Sequence, residues 1–307
     1  MSDPNNSPAD DSLGSQPAGS TMRWPNGAQL AMSVVVNVEE GSELSLRDQD
    51  RGPDPVDELG IVLRKGIRNY GNESNYAYGI RAGFPRIVRL LDEYGVRATW
   101  TAAALALERA PQVARTIVER GDEVCSHGWR WIHHYHMDVA AEREFIDKAV
   151  TSIERTTGSR PQGWLSRYLH TEHTRRLLAE AGFLYHMDDY SDDQPFWDVT
   201  NGHPIVVMPY ALDSNDMKFW TAPAMSPRDW TDYACRTFDC LLQEGQTELR
   251  MMSLGLHLRV IGRPGRIGAL RDFLDHVKNH AGVWYATRAE IATAFVRHTP
   301  VPEVLEN

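Results

Sequence analysis

An α/β barrel built from parallel strands is the fold class that the sequence predicts, on three observations. Strand-like and helix-like stretches alternate through roughly seven or eight units, the order that wraps a parallel sheet in helices. The helical stretches close on Gly95, Gly121, Gly158 and Gly182, where a left-handed terminating residue is wanted. Three apolar strand-like runs end in ionisable side chains, at Glu39 and Glu40, at His127, and at His257. Parallel strands deliver their carboxyl ends to one face, so these groups are expected to meet there.

Residues 34–38 are rich in β-branched side chains and run into Glu39, Glu40 and Gly41, the pattern of a doubly buried strand that ends in two carboxylates. An amphipathic helix is expected over 84–94 and a strand over 96–101. A helix over 111–120 then precedes a strand at 123–126, which ends in His127 and Gly128. Long helices are expected at 140–157 and 171–181, with a short strand-like run at 164–167 between them. Strands follow at 183–187 and 205–208, a helix at 227–243, a strand at 251–256, a helix at 264–280, a short strand at 283–286 and a last helix at 288–296. Two stretches break the rhythm. Residues 41–83 form a long irregular segment, and residues 188–219 are dense in acidic and aromatic side chains; both are expected to cover the strand ends as lids.

With 307 residues and 42% hydrophobic content the chain can bury a large core, so residues 23–307 read as one barrel domain. Residues 1–22 are rich in Ser, Pro, Asp, Asn and Gly and read as a disordered tail. A net charge of -10 argues against nucleic acid or an anionic membrane as the main partner and favours a small neutral or cationic substrate. The three cysteines, Cys125, Cys235 and Cys240, show no CxxC spacing, which speaks against a disulfide framework and for a reducing cytoplasm. No apolar run approaches the roughly 20 residues of a membrane span. The first basic residue is Arg23, so no charged secretory leader is visible.

Each candidate has a functional and a structural reading. Glu39 or Glu40 could activate water, or both could cap a solvated strand end; the buried run ahead of them favours the first, because burial raises a carboxylate toward a useful pKa. His127 and His257 each close an apolar strand, which is less expected of two unrelated core histidines. Were His127 half of a two-histidine metal clip on a helical turn, its partner would be four residues on, where Trp131 stands. Arg167 could bind a substrate oxygen or form a structural salt bridge. His133, His134 and His136 read mostly as surface, and Cys125 as core.

With these residues in view, the chain resembles the polysaccharide deacetylase (NodB-homology) superfamily, and within it the branch of metal-independent allantoinases and cyclic imide hydrolases. The likeness runs over residues 24–296. It is carried by residues 38–41, 126–132, 192–197 and 209–217, and by 254–257 through 262–266. It implies a distorted (β/α) barrel of about seven strands, often a homotetramer. On the family pattern Glu39 takes the place of the base aspartate, Glu40 that of the metal-binding aspartate, His127 that of the first metal histidine, and His257 that of the histidine that protonates the leaving nitrogen. Trp131 replaces the second metal histidine, and Leu165 stands at the arginine of the arginine-proline motif, with Arg167 two residues later.

The resemblance therefore implies a hydrolase of C–N bonds that opens a small cyclic amide or imide. Glu39, Glu40, His127 and His257 are its catalytic candidates, and Trp131, Arg167, Asp193, Trp197 and Asn215 are its substrate-binding ones. No cofactor is expected. The alternative is a zinc or other divalent-metal deacetylase of an N-acetylated substrate, with Glu40 and His127 as ligands and His133 or His134 as a third. A catalytically dead ligand-binding barrel is the reading from another class.

Overall fold

The computed structural model describes residues 23–58, 60, 66–199, 202–278 and 280–302. The expected tail lies outside them. The chain starts with β1 (Leu30–Val38), then α1 (Tyr70–Tyr78), α2 (Phe84–Tyr94), β2 (Ala98–Ala102), α3 (Ala104–Arg109), α4 (Pro111–Glu119) and β3 (Glu123–Ser126). It continues through α5 (Val139–Thr157), β4 (Gly163–Trp164), α6 (Thr174–Glu180), β5 (Tyr185–His186), β6 (Phe196–Asp198) and β7 (Ile205–Val207). The last third holds α7 (Pro227–Glu244), β8 (Arg250–His257), α8 (Ile267–Val277), β9 (Val283–Tyr285) and α9 (Arg288–His298).

The strands form one curled sheet in the order β6-β7-β5-β4-β3-β2-β1-β8, with β9 paired to the start of β1. Every neighbouring pair is parallel except β6 against β7, so the expected barrel of about seven parallel strands is what forms. The two edges meet through an isolated parallel bridge between Asn215 and Gly255, and through the Met251 N–H donated to the Asp193 carbonyl. Register sets up the rim. Val38 lies opposite Ala102, Ala102 opposite Ser126, and Ser126 opposite Trp164, while Asn37 lies opposite His257. The residues that follow, Glu39, His127 and Leu165, therefore leave the sheet at one level.

β1 is buried on both faces, and its period of two sorts its side chains. Leu30, Met32, Val34, Val36 and Val38 pack with α2, α4, α7 and α8 on the outside, whereas Ala31 and Val35 pack inside with Tyr185, Met208 and Tyr210. The helices stop and start where the sequence says. Gly95 (φ 63°) and Gly158 (φ 77°) terminate α2 and α5 in the left-handed conformation, and reciprocal capping boxes open α7 (Ser226, Asp229) and α9 (Thr287, Glu290).

Several expectations are corrected. β1 begins at Leu30 and ends at Val38, before the two glutamates. The stretch 41–83 holds α1, which runs through a π-helical turn (Gly79–Gly83) directly into α2. Its polar sequence, YGNESNYAY, has no apolar stripe to announce it. The short α3 was missed too. α8 spans 267–277 instead of 264–280, and α6 starts at Thr174 rather than 171.

The π-helical turn ends on a glycine that close backbone approach requires. A Cβ at Gly83 would collide with the Leu258 carbonyl oxygen, and Gly262 is equally tight against Leu258 and Gly83. Gly83→Ala is therefore expected to destabilise the protein by about 1–3 kcal/mol, the cost of overpacking a fixed contact. Thermal melting checks this; an unchanged Tm would mean that the helix yields freely. No helix among the described residues is long and apolar enough to cross a membrane.

Candidate active site

Alternation along β1 decides which glutamate faces the barrel interior. Asn37 points inward, where its side-chain N–H donates to Tyr210 Oη (3.1 Å) and its amide oxygen accepts from Thr101 Oγ1 (2.6 Å). Glu39, two residues on, continues that face. Its Oε1 lies 3.4 Å from His257 Nε2 and 3.6 Å from His127 Nε2, and its Oε2 accepts from Arg259 Nη1 at 2.7 Å. Burial alone would raise the Glu39 carboxyl. The charges of His257 and Arg259, with the close imidazole contacts of His127 and His257, outweigh it and hold the group well below the usual carboxylate range, the reverse of the rise expected for a carboxylate at the end of a buried run.

His257 ends β8 and is fixed by Asp216. The Nδ1–H donates to Asp216 Oδ1 (2.7 Å), and the backbone N–H groups of His257 (2.8 Å) and Ile261 (2.9 Å) donate to Oδ2. Because the carboxylate only accepts, Nδ1 must carry a proton and Nε2 faces Glu39. Burial opposes charging this ring, but Glu39 and Asp216 push its pKa up to about 10, so it is an imidazolium at neutral pH. His127 is oriented in a similar way, since its Nδ1 donates to the Leu165 carbonyl at 2.6 Å.

Arg259 was not anticipated. It sits two residues past His257 in the turn that leaves β8 and is 2% exposed. Its guanidinium stacks over Tyr76 (4.2 Å) and near Trp131 (5.4 Å), and Nη1 lies 3.5 Å from Glu40 Oε1 as well. Tyr76 comes from α1, the unforeseen helix, so the cation that faces both glutamates depends on it.

A cavity of about 220 Å³ opens over this group. Its floor is Asn37, Glu39, His127 and His257, and its walls include Trp131, Tyr168, Tyr190, Tyr210, Asn215 and Lys218. Tyr190, Tyr210, Asn215 and Lys218 thus bring part of the 188–219 stretch over the strand ends as expected, and Tyr76 and Asp54 bring part of 41–83 there too.

The other expected site residues divide. Trp131 is 2% exposed and forms a platform, with Arg167 3.6 Å above its ring. Asn215 lines the cavity, its side-chain N–H donating to Tyr210 Oη at 3.3 Å. Arg167 borders the cavity and forms the structural salt bridge: its terminal nitrogens bind Asp54 (2.7 and 2.8 Å) and the Trp131 carbonyl (2.7 Å), while its Nε has no hydrogen-bond partner. Trp197 is a correction: it lies on β6, packs on Phe295 and donates its indole N–H to the Thr299 carbonyl (3.0 Å). Asp193 is another, since it borders a neighbouring cleft with Asp192 and Asp213.

Glu40 faces the opposite way. It lines a separate cleft with Glu43, Tyr76 and Arg81, is 2% exposed, and its Oε1 accepts no hydrogen bond. Burial lifts its carboxyl to about 7 against the opposing charge of Arg259, with Glu39 adding to the rise. Because Glu40 and His127 point into different cavities, the metal pair expected in the alternative is not assembled. His133 Nδ1 contacts the Arg167 carbonyl at 2.9 Å, and His134, buried rather than superficial, lies 3.4 Å from Glu142. Arg259 already holds a positive charge between the two glutamates, so these residues do not fit a divalent cation there. Cys125 is buried in the core, and burial pushes its thiol well above the ordinary value.

Comparison with known proteins places this geometry in context. Residues 75–186 match the family model for polysaccharide deacetylases. A Schizosaccharomyces pombe protein named for the polysaccharide deacetylases is 35% identical over 302 residues, covering 91% of this chain and 94% of its own. Among solved structures, PuuE allantoinase is 40% identical with a TM-score of 0.87, covering 91% of this chain and 94% of its own. A Pseudomonas aeruginosa PAO1 protein named as a polysaccharide deacetylase is likewise 40% identical with a TM-score of 0.87, at 91% and 95% coverage.

Proposed function

Because the chain belongs to the polysaccharide deacetylase family and is a hydrolase of C–N bonds, we propose that it opens a small cyclic amide or imide, such as a hydantoin- or allantoin-like ring, without a catalytic metal. The observation that carries this reading is the carboxylate of Glu39, held between two imidazole Nε2 atoms and a guanidinium on the floor of a small cavity. A cavity of about 220 Å³ suits one ring better than a sugar polymer. The similarity to PuuE allantoinase supports the same choice.

Glu39 accepts a proton from water while the water oxygen attacks the ring carbonyl carbon. His127, anchored through Nδ1, presents Nε2 to hold that water beside Glu39 Oε1. His257 then gives its Nε2 proton to the departing nitrogen as the C–N bond breaks, leaving a carboxylic acid and the freed amide or amine. Glu39 returns its proton to His257 across the 3.4 Å contact, which restores both groups. His257 and Arg259 keep Glu39 ionised, and Glu39 and Asp216 keep His257 cationic. A cytoplasmic setting and a homo-oligomeric assembly accompany the proposal.

The pH dependence follows. Glu39, with its depressed pKa, is the required anion everywhere above that value, and His257 is the required cation below about 10. kcat/KM should therefore stay level through neutrality and fall as pH rises through about 10. If Glu40 were the base, activity would instead climb through about 7. The direct test is turnover of the purified protein on hydantoins, ureides and cyclic imides beside N-acetylglucosamine oligomers. Exclusive activity on the oligomers would overturn the proposal.

A further inference from the structure

Away from the barrel mouth, the outer helix layer carries a second concentration of donor groups. Asp239 lies in the last third of α7, His276 in the last turn of α8, and His280 just beyond it. One ligand atom from each falls within 4.8 Å of the other two, the only such set of His, Cys, Asp or Glu among the described residues. His276 Nε2 is 2.8 Å from Asp239 Oδ1, and the two imidazole rings are 5.4 Å apart. The Phe238 ring stands nearly perpendicular to both, at 5.9 and 5.2 Å, and limits where they can turn.

This spacing suits a transition metal. Nitrogen and oxygen ligands at about 2.0–2.2 Å from a tetrahedral ion lie about 3.3 Å from one another, within the span that the three donors already occupy. Two imidazoles and one carboxylate match zinc, cobalt, nickel or copper better than magnesium or calcium. The surroundings add a second observation. The cleft between α7 and α8 that His276 and Asp239 border also contains Asp272, Cys235, Arg228, and Asp232 paired to Arg236 at 2.8 Å. Burial pushes the Cys235 thiol up to about 11, helped by the charges of Asp239, Asp232 and Asp272, so three carboxylates act on one small region.

We propose that Asp239, His276 and His280 form a transition-metal site that clips α7 to the carboxyl-terminal end of α8, outside the catalytic cavity. The remaining coordination position is left to water. Metal bound here fastens the segment that leads from α8 into β9. It also means that zinc found in the purified protein is not by itself catalytic.

The test uses the full chain without an affinity tag, stripped with chelator and titrated calorimetrically with zinc, and with cobalt read by its visible absorption. One ion per chain is expected, together with a rise in Tm on adding zinc. Asp239→Asn and the double change His276→Gln with His280→Gln should each weaken binding by at least about 10–100-fold, the loss seen when even an outer partner of a ligand is removed. Zinc should then leave the Tm of the double variant unchanged. Turnover of the double variant should match the parent, since none of the three residues borders the catalytic cavity. A flat isotherm for the parent chain, or undiminished uptake by the double variant, would overturn the site.

Discussion

Glu39→Gln is expected to lower kcat by about 10²–10⁴-fold, the range for removing a positioned general base. The change keeps the side chain's shape and removes its charge. Two further effects should accompany it. Arg259 loses the partner at 2.7 Å, and His257 loses one of the two carboxylates that raise its pKa, so the alkaline fall in residual activity should move below about 10. Glu40→Gln is the matched control. That carboxyl lines the other cleft, its Oε1 has no hydrogen bond, and turnover should stay within a few-fold of the parent. Steady-state kinetics on the ring substrate decide the matter. Parent-like kcat in Glu39→Gln, or collapse in Glu40→Gln alone, would move the base to Glu40.

The contrast between these neighbours also shows how far the sequence reaches. It places two carboxylates at a strand end without saying which faces the interior. Yet the period of two was present in residues 30–40, where Ser33, Asn37 and Glu39 fall on one face and Met32, Val34, Val36 and Val38 on the other. Extending that alternation past the strand would have selected Glu39. His127 and His257 were legible because each interrupts an apolar run at its end. The pairing of His257 with Asp216 was not, because the two are separated by 41 positions and meet through tertiary packing.

Arg259 escaped for a different reason. An arginine after a strand ordinarily reads as a solvated end, and its burial depends on Tyr76 of a helix with no hydrophobic stripe. Trp131 carries the same lesson in reverse. Its place in the family pattern removes a metal histidine, but only the structure reveals two guanidiniums over its ring, one committed to Asp54 and one to Glu39. Trp197 and Asp193 were carried by the resemblance alone, and packing directs both elsewhere.

His257→Ala is expected to reduce kcat by about 10²–10⁴-fold while changing KM little, because protonating the leaving nitrogen matters only as the C–N bond breaks. The size of the loss should track the leaving group. An imide nitrogen departs more readily as an anion than a plain amide nitrogen, so imide rings should suffer a smaller loss than simple lactams. A purely structural role for His257 would lower both equally. His257→Gln guards against a folding artefact: it retains bulk and a hydrogen-bond donor, and circular dichroism should match the parent. The alkaline limb near pH 10 should vanish in both variants, since the group that titrates there has been removed. Persistence of that limb, or an effect confined to KM, would make His257 a binding residue and leave the acid to be found elsewhere.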